Sequence, residues 1–128
     1  MTILKSVTVP VTATGANGTA SGNADSETFV GEIVGAQIAY HANTPNTADL
    51  TITDKRSGTT ILSRTNGNTD EYATPRQVAT FANGDNVLSA TENGLHPTPF
   101  AVDQGVNVAL AQANTDTNGV VVTILYRK

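Results

Sequence analysis

The residues with the readiest acid–base or metal chemistry in this chain are two histidines and eleven carboxylates, and there is no cysteine. His41 and His96 lie far apart, and neither belongs to an H-x-H or H-E-x-x-H spacing that would hold zinc or a catalytic water. They read as surface or loop histidines. The carboxylates are spread singly, apart from the adjacent Asp70-Glu71. Neighbours in a strand point to opposite faces, so this pair does not make the facing acid and base of a glycosidase. There is no G-x-S-x-G, Walker A or G-x-G-x-x-G pattern. Gly15-Ala-Asn-Gly18 and Asn66-Gly67-Asn68 read as turns, because no helix follows whose N-terminus would hold a phosphate. Asp103-Gln104-Gly105 lacks the spacing of a calcium loop. The chain is therefore not expected to be an enzyme, and no cofactor or metal is expected.

The elements that would position side chains are strands. Val7, Val9 and Val11 alternate with Thr8 and Thr12, and Gly15–Gly18 supplies turn chemistry before a second, small-residue strand over Thr19–Asn23. A long strand spans Phe29 to Tyr40, with Val34, Ala36, Ile38 and Tyr40 expected on one face and Ile33 and Val30 near the other. Gly31 and Gly35 on that strand mark a bulge or a close approach. Leu50 and Ile52 begin a hairpin that returns through Ile61, and Asp54-Lys-Arg-Ser-Gly58 forms the turn with Gly58 left-handed. Tyr72–Arg76 is extended, because Pro75 drives Thr74 out of the helical region. Val106, Val108 and Leu110 form one late strand. Asn114-Thr-Asp-Thr-Asn-Gly119 reads as a loop, with Asn118-Gly119 a turn pair, before Val120, Val122, Ile124 and Tyr126, whose strand is apolar on both faces and so central.

This pattern predicts an all-β chain: a single antiparallel β-sandwich or jelly-roll-like barrel of about eight strands. At 128 residues it makes one domain. Within it, 1–28 form an N-terminal hairpin or arm, and 29–128 form the sandwich core, with an irregular loop near 77–104. The core is thin, with 29 Ile, Leu, Val and Phe residues in all. Such a core calls for buried area from elsewhere, so a homo-oligomer is expected. Threonine fills 21 positions and asparagine 12, so the surface is polar with little charge. A net charge of −4, with Lys55-Arg56 and Arg127-Lys128 as the only adjacent basic pairs, argues against nucleic acid or an anionic membrane as partner. No apolar run is long enough to span a bilayer, and the start is not a secretory leader; synthesis in a cytoplasm is expected.

The order of segments carries a resemblance. Val-Thr-Val near the start is followed by a Thr/Gly/Ala hairpin and Gly35-Ala-Gln-Ile-Ala-Tyr40. Ala48-Asp-Leu-Thr-Ile-Thr53, Ser57-Gly-Thr-Thr-Ile-Leu62 and Tyr72-Ala-Thr-Pro-Arg76 come next. Gly105-Val-Asn-Val108 and Gly119-Val-Val-Val-Thr-Ile-Leu-Tyr126 close the series. From Val7 to Tyr126 this resembles the small β-rich virion proteins of tailed bacteriophages, of the capsid decoration or cement type. Residues 83–100 depart from that pattern. The resemblance implies a protein on the capsid exterior, trimeric, that clamps neighbouring major capsid subunits. A tail-tube or head–tail connector component is the alternative, and a glycan-binding sandwich is third. The chain lacks Trp, and Tyr72, Phe81 and Phe100 are the candidate exposed aromatics for such a module.

Candidate contacts follow from that reading. Thr2, Ile3 and Leu4 would pair with a neighbour's sheet edge, or else form an edge strand of their own domain. Tyr72, Pro75 and Arg76 would anchor an interface, since Tyr and Arg are favoured hot-spot residues, or Arg76 would satisfy local carbonyls. Phe100 would be a loop-tip contact or a core plug.

Overall fold

The computed structural model describes residues 3–78 and 97–128. In chain order the strands are β1 (Leu4–Ala13), β2 (Ala20–Asp25), β3 (Gly31–Tyr40), β4 (Asp49–Asp54), β5 (Thr60–Arg64), β6 (Glu71–Ala73), β7 (Gln77–Val78), β8 (Pro97–Thr98), β9 (Ala101–Val102), β10 (Val106–Ala113) and β11 (Asp116–Arg127). The first sheet runs β1-β11-β3-β6, with β9 also on β3; the second runs β2-β10-β4-β5. All the pairings are antiparallel, and β7 and β8 form a small separate ladder. The chain is an all-β sandwich. Among the described residues its two sheets hold nine strands, in line with the expected sandwich of about eight.

The core follows from alternation. Val7, Val9 and Val11 of β1, with Val120, Val122 and Ile124 of β11, turn inward from the first sheet. Val106, Val108 and Leu110 of β10, with Leu50 and Ile52 of β4, meet them from the second. Phe29 and Tyr126 stack with ring centroids 4.3 Å apart at one end of this core. β11 lies between β1 and β3, and β3 between β11 and β6, so both are central as expected.

β3 departs from the expected phase. Leu125 pairs with Gly35 but Tyr126 pairs with Ile33, so Val34 is an extra residue. A bulge of this kind reverses the alternation beyond it. Ile33 therefore joins Ala36 and Ile38 in the core, while Val34 is only half-buried.

The Asn118-Gly119 pair also behaves differently from its turn reading. The chain reverses at Asn114-Thr115, and β11 runs through Asn118, which holds φ at 54°. Between Val11↔Val120 and Ala13↔Asp116, β11 carries two more residues than β1. A matching irregularity in β10 surrounds Gln112, at φ 53°. These paired bulges bend the β10–β11 hairpin from one sheet to the other, which is how sandwich corners form. The distortion turns the Gly119 carbonyl toward the β3–β4 connection, where it accepts from the His41 amide at 2.9 Å and the buried Thr44 hydroxyl at 2.8 Å.

The β4–β5 hairpin matches its sequence. Gly58 has φ 77°, its amide donates to Asp54 O at 2.8 Å, and the Asp54 carboxylate accepts from the Arg56 amide and the Ser57 hydroxyl. On the opposite side of the sandwich, β1 and β2 are joined by a hairpin yet enter different sheets. Gly22 lets them close together, because a Cβ there would collide with the Thr12 carbonyl.

Candidate interaction surface

The outward face of the first sheet can be read row by row from the register. Leu4, Arg127, Glu32 and Ala101 form the end row across β1, β11, β3 and β9. Ser6, Leu125 and Gly35 form the next, then Thr8, Thr123, Gln37 and Tyr72, then Pro10, Val121 and Ala39. The Thr8 and Thr123 hydroxyls lie 3.4 Å apart, which fixes both on this face. Arg127 and Glu32 pair at 3.6 Å in the end row. In the three rows beyond them, the only ionisable group is the Tyr72 phenol. Val121, Thr123 and Leu125 are half-buried, whereas Thr8, Pro10, Gln37 and Ala39 are exposed. The result is an uncharged face of hydroxyl, amide and aliphatic side chains.

Tyr72 is the one aromatic side chain in these rows. It is 53% exposed and lies across Gly35, where any Cβ would collide with its ring and hydroxyl. The glycine thus provides a seat that holds the ring flat against the sheet. Arg76 stands at the adjacent edge and donates from Nη1 to Val34 O at 3.3 Å and Pro75 O at 2.8 Å. The bulge at Val34 leaves a carbonyl between β6 and β9, and the guanidinium fills that gap. Pro75 is buried. Of the three, Tyr72 and Arg76 are exposed and Pro75 is buried, and Arg76 is engaged by local carbonyls.

Ile3 and Leu4 extend the first sheet of their own domain: Leu4 pairs with Arg127, and Ile3 O accepts from Lys128 N at 3.0 Å. Phe100 is half-buried against the core, and its carbonyl accepts from the Ile33 amide at 2.8 Å. The expectations for Thr2, Phe81 and His96, and for 79–96 of the irregular stretch, lie outside the described residues.

Ile3, Leu4, Val30 and Tyr72 are the exposed large hydrophobics among the described residues. The first three gather at one end of the first sheet, where β1 and β3 begin and β11 ends. Beside them a cleft of about 370 Å³ is lined by Val30, Gly31, Glu32, Ala101, Val102 and Asp103. Asp103 is ion-paired with Arg56 from the β4–β5 hairpin. Sequence reasoning missed this grouping, because Val30 and Ala101 come together only through the pairing of β3 with β9.

The outward face of the second sheet is different in kind. Asn107 donates to Asn23 at 3.2 Å and to Asp25 at 2.9 Å, and Lys55 lies 3.5 Å from Asp25. The Asn107 hydrogen bond, followed by the Lys55 charge, holds the Asp25 carboxyl below the usual carboxylate range. At the sheet margin near β6, burial pushes the Tyr40 phenol above its ordinary value, with a further push from the Glu71 carboxylate.

At the opposite end of the sandwich His41 Nδ1 accepts from the Asn43 amide at 3.0 Å and stands 3.8 Å from Asp116 Oδ2. A polar pocket of about 270 Å³ adjoins it, lined by Asn17, Asn43, Asn114, Thr115 and Asp116. No three His, Cys, Asp or Glu side chains converge as metal ligands among the described residues. No family model, curated protein or solved structure matches this chain.

Proposed function

We propose that this protein is a structural virion protein, which binds the outer surface of a phage capsid as a trimer and clamps neighbouring major capsid subunits. The observation that carries the reading is the uncharged outward face of β1, β11 and β3, with Tyr72 seated over Gly35. Here Thr8, Thr123 and Gln37 share the face with Val121 and Leu125, so it can be desolvated without stranding a charge. Contacts of this sort are individually weak, and they gain strength when several copies engage a repeating lattice together. The segment order from Val7 to Tyr126, with its resemblance to capsid decoration proteins, supplies the kind of lattice.

The test is cosedimentation of purified protein with assembled, undecorated shells, with Thr123→Arg as the probe variant. Wild-type protein should pellet with shells at saturating stoichiometry. Thr123→Arg, which places a guanidinium in the middle of the face, should lower the bound fraction at least tenfold without altering the fold. Protein that ignores intact shells but polymerises into tubes would replace this reading with a tail-tube component.

A further inference from the structure

We propose that His41 and Asp116 form a proton-operated latch: when Nδ1 of His41 takes up a proton from solvent, it exchanges the Asn43 amide for the Asp116 carboxylate and resets the turns that wall the polar pocket. The latch lies at the end of the sandwich away from Ile3 and Leu4, and it holds whether or not the protein binds a capsid. Its origin is a buried oxygen without a donor. Asp116 Oδ2 is enclosed and accepts no hydrogen bond among the described residues. An acceptor left in that state is costly to keep. The group facing it, at 3.8 Å, is Nδ1 of His41. That nitrogen accepts from the Asn43 amide at 3.0 Å, so it carries no proton, and the N–H of the ring is at Nε2. Two acceptors therefore face each other across a gap that one proton converts to an ion pair.

Protonation reverses both contacts at once. Nδ1 becomes a donor, so it turns away the Asn43 N–H and attracts Asp116 Oδ2. The imidazole is 36% exposed, which gives solvent protons access to it. Among the described residues Asp116, from β11, is the one carboxylate paired with this ring. The turns around it contribute Asn17, Asn43, Asn114 and Thr115 to the pocket, and none of these titrates. The ends of the His41–Thr44 turn are anchored: the His41 amide and the Thr44 hydroxyl donate to Gly119 O, and the Thr44 amide donates to His41 O. The Asn43 peptide is the part that can move. Its carbonyl accepts from Asn114 Nδ2 at 2.7 Å, and Asn114 Oδ1 accepts from the Gly18 amide at 3.0 Å. Rotation of that peptide is therefore passed to the β10–β11 and β1–β2 turns, which wall the pocket with it.

The test is a magnetic-resonance titration of labelled protein from about pH 8 to about pH 5, the range in which imidazoles change charge. The Asn43 and Gly18 amides should shift together, with the same midpoint as the His41 ring. In His41→Asn the new side-chain oxygen holds the Asn43 amide as an Asx turn at every pH, so the fold is kept and the coupled shift disappears, while any response owed to His96 remains. Asp116→Ala gives an independent thermal readout. The pair contributes stability only while His41 is protonated, and that contribution is lost as pH rises. Asp116→Ala should therefore melt no lower than wild type near pH 8, where it removes an unpaired acceptor, and roughly 4 °C lower near pH 5, where it removes the pair. Asn43 and Gly18 amides that stay fixed while His41 titrates would overturn the proposal. So would an unchanged coupled shift in His41→Asn, or a melting difference for Asp116→Ala that is the same at both ends of the range.

Discussion

Ile124 and its neighbour Leu125 offer the sharpest test of the strand register. Ile124 is 1% exposed and pairs with Val7 on β1 and Ala36 on β3. From Val120 to Leu125, β11 is paired residue by residue with β1 and β3, which resists inward collapse of either strand to fill a void. Ile124→Ala should therefore fall in the upper part of the range for buried aliphatic truncation, about 3.5 kcal/mol. At about 4 °C per kcal/mol for a chain of this size, the melting temperature should drop by roughly 14 °C. Leu125 faces outward over Gly35 and Ser6 and is half-buried, so Leu125→Ala should cost about 1 kcal/mol and roughly 4 °C. Thermal melts followed by circular dichroism, together with urea midpoints at unchanged m, would measure both. The variants should be compared at concentrations where both are monomeric, so that lost self-association does not enter. Equal losses would refute the reasoning: they would mean that the outward face is already covered within one chain, and it would cease to be a contact surface.

Other outcomes follow from single contacts. Gly35→Val should displace the Tyr72 ring from its seat, changing tyrosine fluorescence and the near-ultraviolet dichroism; an unchanged spectrum would show that the ring does not depend on that glycine. Gly58→Ala should destabilise by about 1 kcal/mol, because φ 77° strains any residue with a Cβ, and urea unfolding would read it. Asp25 has a lowered carboxyl in the folded state, so its contribution is present above the unfolded value near 3.8 and is lost as pH falls through the folded one. Asn107→Ala, which removes the largest cause, should flatten stability against pH in that acid window. Tyr40 is shifted the other way: its contribution is complete below about pH 10 and declines as pH rises toward the raised folded value. A phenolate absorbance titration should show a late-ionising component that disappears in Tyr40→Phe.

The alternation of Val with Thr in β1, and the i, i+2 row Val120, Val122, Ile124 and Tyr126 in β11, were legible because a strand's period of two depends only on local backbone geometry. The β4–β5 hairpin was legible for the same reason: Asp54 and Gly58 satisfy their turn within a few residues. The candidate surface was legible only in part. Tyr72 could be singled out from its type, but its seat over Gly35 depends on β6 lying beside β3. Arg76 reaches the Val34 carbonyl only because a bulge leaves that group between two short edge strands. Ile3 and Leu4 could be named as an edge, whereas their placement at the same end as the Val30 cleft needed the order β1-β11-β3-β9.

By itself the sequence determined an all-β chain, the hydrophobic phase of its regular strands and a surface of hydroxyls and amides in place of charges. These are properties of short windows, set by side-chain type and backbone preference. Tertiary structure decided the bulges, the true turn at Asn114-Thr115, the entry of Ile33 rather than Val34 into the core, and the rows that make one face uncharged. Each of these depends on which strand lies alongside and in what register, and that pairing is settled by packing between residues distant in the chain.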